Sequence, residues 1–481
     1  MPMNNALFKR MTGAGRIPLK VLFVIKSLSQ FSYMSSIVKS LDSSGHQIQL
    51  LFDPVWSKTT SDHVVRQFIS RTDNVAMDWS VQRTDKWRRW IFFSREFRSY
   101  ISYTKRGDQS SYYLKRWNGY LPRIIRKFVY FRPVRFLLSH SPVYQWLAAV
   151  ETHVPPDQKI TADLLHRKPD VIVVTPMNQR YSEEVEYVKA AKILNIPTVV
   201  PVISWDNLTT KGIFHVIPDL TLVWNEEQRS EAINIHSVPE ENVFITGSPF
   251  FDKWFDASKL LEDRRIFCQR MGLDHTKPFF VYLGSSAKIA RDETWLPQSI
   301  YNGLKSHSKT SIRNIGMLAR PHPVNAKHYN QLIGDRLVVW PKDGALPEAR
   351  DSQRDFYNAL RHCEFTLGIN TSGMINAIVN AKPCLTVLTD QYQLTQEKTV
   401  HFRQLLQADV LDINHSPQEA IDSIVRLLDG EDRHCDQRQQ FVLKFVRPHG
   451  LEIGAGKAAA QAIELIARGG SIDEIKASVP Y

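Results

Sequence analysis

Apolar positions along this chain fall into two series of short runs, with stretches between them in which apolar residues recur at helical spacing. Lys20-Val-Leu-Phe-Val-Ile-Lys26 has the length of a strand, and Phe31, Met34, Ile37, Val38 and Leu41 then repeat at helical intervals up to Gly45. Gln47-Ile-Gln-Leu-Leu-Phe52 predicts the next strand, so the chain opens with a β-α-β unit whose crossover should be right-handed. Runs at 170–175, 198–204, 220–224 and 243–246, with a helical stretch at 182–194, extend this unit into a parallel doubly wound sheet ending near Gly247.

A second series begins at 278–284 and continues at 315–319, 337–340, 365–369 and 384–388, which predicts another parallel α/β domain. Residues 417–428 read as a helix, with Ser416 as N-cap and Pro417 at the first helical position, where a missing N–H is no loss. Beyond the Arg447-Pro-His-Gly450 break, 457–467 is a further amphipathic helix. The expected architecture is α/β: a Rossmann-like domain over 1–247, a second over 248–445, and a C-terminal helical tail over 446–481. Two such domains facing each other leave a central cleft at the carboxyl ends of their strands, where ligands of this architecture bind.

A length of 481 residues agrees with two or more cores, and 43% hydrophobic with 23% charged residues is an ordinary globular balance. Cys268, Cys363, Cys384 and Cys435 lie far apart, with no Cys-x-x-Cys pair and no His at ligand spacing. This argues against a disulfide framework or a zinc site and fits a reduced, cytoplasmic compartment. Residues 1–20 lack the apolar stretch of a signal peptide, and no window offers the roughly 18 apolar residues of a spanning helix.

The formal net charge of +12 matters because of its location: residues 83–136 hold 15 Lys/Arg against 3 acidic residues, and the two signs balance elsewhere. The same segment carries 15 aromatic residues, among them Trp87, Trp90, Phe92, Phe93, Trp117, Tyr130 and Phe131. We expect a basic aromatic helical insertion over about 83–160 in the first domain. Such a mixture suits the headgroup layer of an anionic membrane, where each Lys or Arg contributes about 1 kcal/mol. It could also pack on its own domain with its charges solvated, or grip single-stranded nucleic acid, the least favoured of the three readings.

Candidate chemistry sits in the loops that leave the second series of strands. Gly284, Ser285 and Ser286 form a small, hydroxyl-rich loop that lets a donor approach the backbone, and Lys288 can neutralise phosphate charge; a solvated turn explains the loop equally. In Arg320-Pro-His-Pro323 the prolines hold Arg320 and His322 extended, and both can donate hydrogen bonds to a phosphate leaving group. A structural His at a turn is the plainer alternative. Asn370, Thr371, Ser372 and Gly373 open a helix, where free N–H groups and hydroxyls suit a phosphate or serve simply as a cap. In the first domain, Ser204-Trp-Asp-Asn-Leu-Thr-Thr-Lys-Gly212 ends a strand facing the cleft. Asp206, between Trp205 and apolar walls, is expected to have a raised pKa suited to a general base, or else to cap the next segment; His215 is a lesser candidate.

At these motifs, together with 20–52, Pro218-Asp-Leu-Thr-Leu-Val-Trp-Asn225, 243–249 and 370–383, the chain resembles bacterial surface-polysaccharide proteins of the GT-B glycosyltransferase fold. It is distantly similar to CDP-glycerol glycerophosphotransferases and UDP-GlcNAc 2-epimerases. The resemblance implies that the C-terminal domain binds the donor, with the Arg-Pro-His-Pro and Asn-Thr-Ser loops near its phosphates. It also places Glu397, within Thr395-Gln-Glu-Lys-Thr-Val-His-Phe402, where related enzymes hold the nucleotide ribose.

The expected activity is metal-independent transfer from a nucleotide-sugar or nucleotide-polyol donor to a glycan or lipid-linked glycan acceptor, with no further cofactor. Asp206 and His322 are the expected catalytic residues, working at the inner face of the cell membrane. The alternatives are a nucleotide-sugar epimerase, which needs no acceptor, and a non-catalytic nucleotide- or glycan-binding subunit of an envelope polysaccharide assembly complex.

Overall fold

The computed structural model describes residues 17–106, 111–345 and 350–478; most of the amino-terminal stretch, residues 107–110 of the basic segment and the last three residues of the tail lie outside the described residues. The first sheet consists of β1 (Lys20–Ile25), β2 (Gln47–Phe52), β3 (Val75–Trp79), β4 (Val171–Thr175), β5 (Thr198–Pro201), β6 (Leu220–Val223) and β7 (Val243–Ile245). The second consists of β8 (Phe279–Leu283), β9 (Gly316–Arg320), β10 (Leu337–Val339), β11 (Thr366–Gly368), β12 (Cys384–Val387) and β13 (Asp412–Asn414). Their orders are β3-β2-β1-β4-β5-β6-β7 and β10-β9-β8-β11-β12-β13, with every pair parallel. Each sheet therefore reverses direction beside its own first strand.

The continuous apolar runs became strands because helices cover both faces: β4, β5 and β8 are buried at every position. Strands β3 and β13 were not among the runs. Both are edge strands; β3 buries only Val75 among its five residues, and β13 has three residues. The helix Pro417–Leu428 starts as expected, with Ser416 Oγ accepting from the Glu419 N–H at 3.2 Å.

The chain ends by crossing back. Helix Ala455–Ala467 places Ala458, Ala459, Ala462 and Ile463 in the same core as Phe23, Ile37, Val38 and Leu41 of the first domain. Gly456 makes this approach possible, since a Cβ there would lie 2.1 Å from Ser36 Oγ. Asp252 secures the crossing: it accepts from the N–H groups of Ala455 at 3.0 Å and Gly456 at 2.7 Å, and pairs with Arg447 at 2.8 Å. The tail thus belongs to the first domain's core.

The basic segment forms helices Arg88–Lys105, Ser111–Asn118, Arg123–Tyr130, Arg132–His140 and Val143–His153. Its inner layer is packed. Arg95 is buried and bidentate to Glu151 at 2.9 and 2.7 Å, and Arg83 pairs with Glu186 at 2.6 Å. Tyr100, Tyr103, Tyr113 and Trp117 form a small core of their own. The outer layer differs: helix Arg132–His140 buries no residue, and Ile124, Phe128, Phe131, Phe136 and Leu137 are exposed.

Candidate functional site

Strand adjacency brings the three loops of the second domain together. Leu283 at the end of β8 pairs with Arg320 on one side and Gly368 on the other. The segments 284–288, 320–323 and 370–373 therefore leave the same edge of the sheet, where its strand order reverses.

Within this edge the side chains divide into those that hold the loops and those left open. A Cβ on Gly284 would lie 2.6 Å from the Tyr329 hydroxyl oxygen and 3.0 Å from both the Arg320 carbonyl oxygen and the His322 nitrogen. The glycine thus answers to the close approach of the chain's own Arg-Pro-His-Pro segment. Ser285 is buried; its N–H donates to Glu293, its carbonyl accepts from Asn325 Nδ2 at 2.9 Å, and its Oγ has no hydrogen-bond partner among the described residues. The half-buried Ser286 closes a turn, its carbonyl accepting from the N–H groups of Ile289 at 2.8 Å and Ala290 at 3.1 Å. Lys288 is exposed.

Arg320 is buried, with Nη2 donating to Ser352 Oγ at 3.0 Å and the guanidinium over Phe356 at 4.6 Å. His322 Nδ1 accepts from the Val324 N–H at 3.3 Å, so the neutral ring carries its proton on Nε2. Desolvation, followed by the charge of Lys288, pushes its pKa below the ordinary histidine value. It is therefore a neutral donor at physiological pH.

Asn370 Nδ2 donates to the Thr395 carbonyl at 2.6 Å, which fixes the 395–397 segment beside the loop. Thr371 Oγ1 accepts from the Gly373 N–H at 3.2 Å just ahead of the short helix Gly373–Val379, whereas Ser372, at the N-cap, is exposed and makes no side-chain capping bond. Glu397 is half-buried and has no hydrogen bond or ion pair among the described residues.

The first domain supplies the facing wall. Asp206 Oδ1 accepts from Ser204 Oγ at 2.6 Å, and Oδ2 accepts from Thr210 Oγ1 at 2.8 Å and Lys211 Nζ at 2.9 Å. Burial pushes this carboxyl up, but Lys211, His401 and the Ser204 hydrogen bond outweigh it and hold the pKa well below the usual carboxylate range. The expectation of a raised pKa is reversed. A carboxylate ionised throughout the neutral range and saturated with donors is a poor general base; its evident work is to hold Lys211.

Cations from separate parts of the chain gather here. The Lys288 ammonium is lowered by desolvation and then by Arg116 and Lys211, with Asp206 acting in the opposite sense. Arg116 and Lys211 thus bear on Lys288 with Asp206 as the opposing carboxylate, and Lys288 in turn bears on the neutral His322. Two further groups carried no sequence signal. His401, on helix Val400–Gln407, is pushed by burial to about 4, and Glu231, on helix Glu226–His236, is pushed by burial to about 8. Gln404 Nε2 donates to Glu231 Oε1 at 2.8 Å across the domains. His215 belongs elsewhere: its Nδ1 lies 3.5 Å from Arg98 Nη1 in the packing of the insertion.

No protein-family model matches the chain, and no curated protein sequence matches it. Solved structures do resemble it. UDP-GlcNAc 2-epimerase from Methanocaldococcus jannaschii has a TM-score of 0.55 at 11% identity, over 93% of this chain and 99% of that one. The UDP-GlcNAc 2-epimerase from Neisseria meningitidis, bound to UDP-GlcNAc, has a TM-score of 0.53 at 12% identity over 93% and 100%. A glycosyltransferase from Rickettsia africae has a TM-score of 0.53 at 8% identity over 93% and 99%. The architecture is therefore the GT-B arrangement of two Rossmann-like domains around a cleft, as the sequence resemblance implied.

Proposed function

We propose that the cleft binds a nucleotide-activated donor and that the protein transfers its sugar or polyol-phosphate unit to a surface-glycan acceptor without a catalytic metal. The observation that carries this reading is the meeting of Lys288 with Arg116 and Lys211 of the first domain, a surplus of cations over Asp206, where the 284–288, 320–323 and 370–373 loops leave the carboxyl edge of β8, β9 and β11. Such a surplus suits a diphosphate, and donors placed beside the leaving phosphate stabilise the charge that grows as the glycosyl bond breaks. Lys288 and His322 Nε2–H are the assigned donors. Asp206 orients Lys211, and Arg320 braces the loop against Phe356. Ser285 and Ser372 supply further contacts, with Glu397 at the ribose. The UDP and UDP-GlcNAc complexes of epimerases with this fold support a nucleotide sugar as the ligand class.

The proposed place of action is the cytoplasmic face of a membrane. Among the described residues no helix is long and apolar enough to cross one, but Ile124, Phe128, Phe131, Phe136 and Leu137 stand exposed among Lys127, Arg132 and Arg135. All four cysteines are free, which supports a reducing compartment.

Epimerisation is the second reading, and Glu231 favours it: burial holds this carboxyl at about 8, so it is protonated at neutral pH and able to act as an acid. Incubation with a panel of nucleotide sugars in deuterated water separates the two. Transfer predicts an unchanged donor until acceptor is added, then release of the nucleotide diphosphate where a sugar moves or of the nucleotide monophosphate where a polyol phosphate moves. Solvent deuterium entering the sugar with no acceptor present would replace transfer with epimerisation.

A further inference from the structure

A cavity of about 940 Å³ lies in the first domain, lined by that domain and its insertion and by none of the 284–288, 320–323 or 370–373 residues. It occupies the carboxyl edge of the first sheet: Asp53 directly follows β2, and Tyr181 lies beyond β4, where the strand order reverses next to β1. The outer wall is the start of the basic insertion. A doubly wound sheet binds ligands at this position, and the volume is that of a small-molecule site.

Six cations line the cavity against three carboxylates. Some are used internally: Arg88 pairs with Glu183, and Arg126 donates to the carbonyls of Gly119 at 2.6 Å and Leu121 at 3.1 Å. Arg89 and Arg123 are exposed, with no hydrogen bond or ion pair among the described residues. Glu96, only 5% exposed, accepts from the Tyr181 N–H at 2.9 Å through Oε1, while its Oε2 is buried with no partner. Such an atom gains a hydrogen bond from a ligand hydroxyl. Trp90 supplies an aromatic face, and the Tyr120 ring carries the Arg180 guanidinium over it at 4.8 Å. The Tyr120 hydroxyl accepts from Arg116 Nε at 2.9 Å, and Arg116 is one of the cations acting on Lys288, so cavity and donor cleft adjoin.

We propose that this cavity binds a saccharide carrying a phosphate or diphosphate. The phosphate lies against Arg89 and Arg123, a sugar hydroxyl donates to Glu96 Oε2, and the ring packs on the aromatic wall. Helix Arg123–Tyr130 begins at the cavity wall and exposes Ile124 and Phe128, a path for an alkyl chain where the phosphate is esterified to lipid. Its role as the acceptor site rests on the transfer reading; its binding of sugar phosphates does not.

Calorimetry on the full chain tests it, with N-acetylglucosamine 1-phosphate and a farnesyl diphosphate-linked N-acetylglucosamine as probes. The sugar phosphate should bind, and Arg89→Ser and Arg123→Ser should each weaken it by roughly tenfold while leaving nucleotide affinity unchanged. Glu96→Met should weaken the sugar phosphate more than inorganic phosphate. Tighter binding of the farnesyl probe, lost in Phe128→Ser, identifies a lipid-linked ligand; equal affinities identify a soluble one. If neither saccharide binds, or both arginine variants bind like the parent, the proposal is overturned. Sugar phosphate binding without any nucleotide binding would overturn the donor reading and leave this site standing.

Discussion

His401 of the second domain stands edge-on to Trp205 of the first, with ring centroids 4.8 Å apart and planes at 85°. The contact joins the two walls of the cleft beside Asp206, and burial there disfavours the charged imidazole. Burial holds His401 at about 4, and holds His236 at about 3, where Nδ1 accepts from the Phe214 N–H and Nε2 donates to the Leu208 carbonyl. An unfolded histidine titrates near 6.5, so the unfolded chain binds more protons than the native one between that value and about 4. Stability should be fully present above the unfolded value and decline as pH falls through the window, by roughly 3 kcal/mol for His401 alone. Urea unfolding between about pH 7.5 and 5 checks this, and the decline should be shallower in His401→Gln.

Glu231 gives the opposite sign. Its native pKa of about 8 exceeds the unfolded carboxyl value, so its stabilising effect is present at low pH and is lost as pH rises through 8. Glu231→Gln keeps an acceptor for Gln404 and removes the buried charge. It should raise the melting temperature at about pH 8.5 and change it little near pH 5; a fall at both would contradict the assignment.

Gly284→Ala should destabilise the second domain by about 1–3 kcal/mol, because a Cβ has no room between Tyr329 and the 320–322 backbone. The displaced Arg-Pro-His-Pro segment should also lose nucleotide affinity. Thermal melts with and without nucleotide measure both effects.

Membrane binding should depend on the outer layer of the insertion alone. Lys127→Ser and Arg132→Ser together should weaken binding to anionic vesicles by about 2 kcal/mol, and Phe128→Ser with Leu137→Ser should remove the part that resists salt. Arg88 and Arg126 are unsuitable targets, since both are committed to internal hydrogen bonds. Vesicle sedimentation at two salt concentrations decides the matter; unaltered binding in both double variants would exclude this surface.

Eleven of the thirteen strands among the described residues lay in readable apolar runs, most of them because strands buried on both faces have no polar alternation to interrupt them. The edge strands β3 and β13 escaped for the converse reason. The three loops at the carboxyl edge of the second sheet were legible because each follows such a run. What they do was less so: Asn370 is tied to the Thr395 carbonyl and Arg320 lies over Phe356, contacts set by residues beyond the motif itself. The charge state of Asp206 depends on Lys211, five positions on in sequence, and on His401, nearly two hundred away, so burial beside Trp205 suggested the wrong direction. Glu231 sits in an ordinary helix, and only the packing of Gln404 against it singles it out.

The central claim is that the cationic cleft binds a nucleotide-activated donor. Thermal stabilisation of the full chain by UDP, CMP, CDP, GDP and their sugar or polyol derivatives tests it most directly, since a ligand at a hundred times its dissociation constant adds about 2.7 kcal/mol. The account predicts a shift selective for one nucleotide, lost in Lys288→Ala and in His322→Ala; no shift from any nucleotide, or one that survives both substitutions, would contradict it.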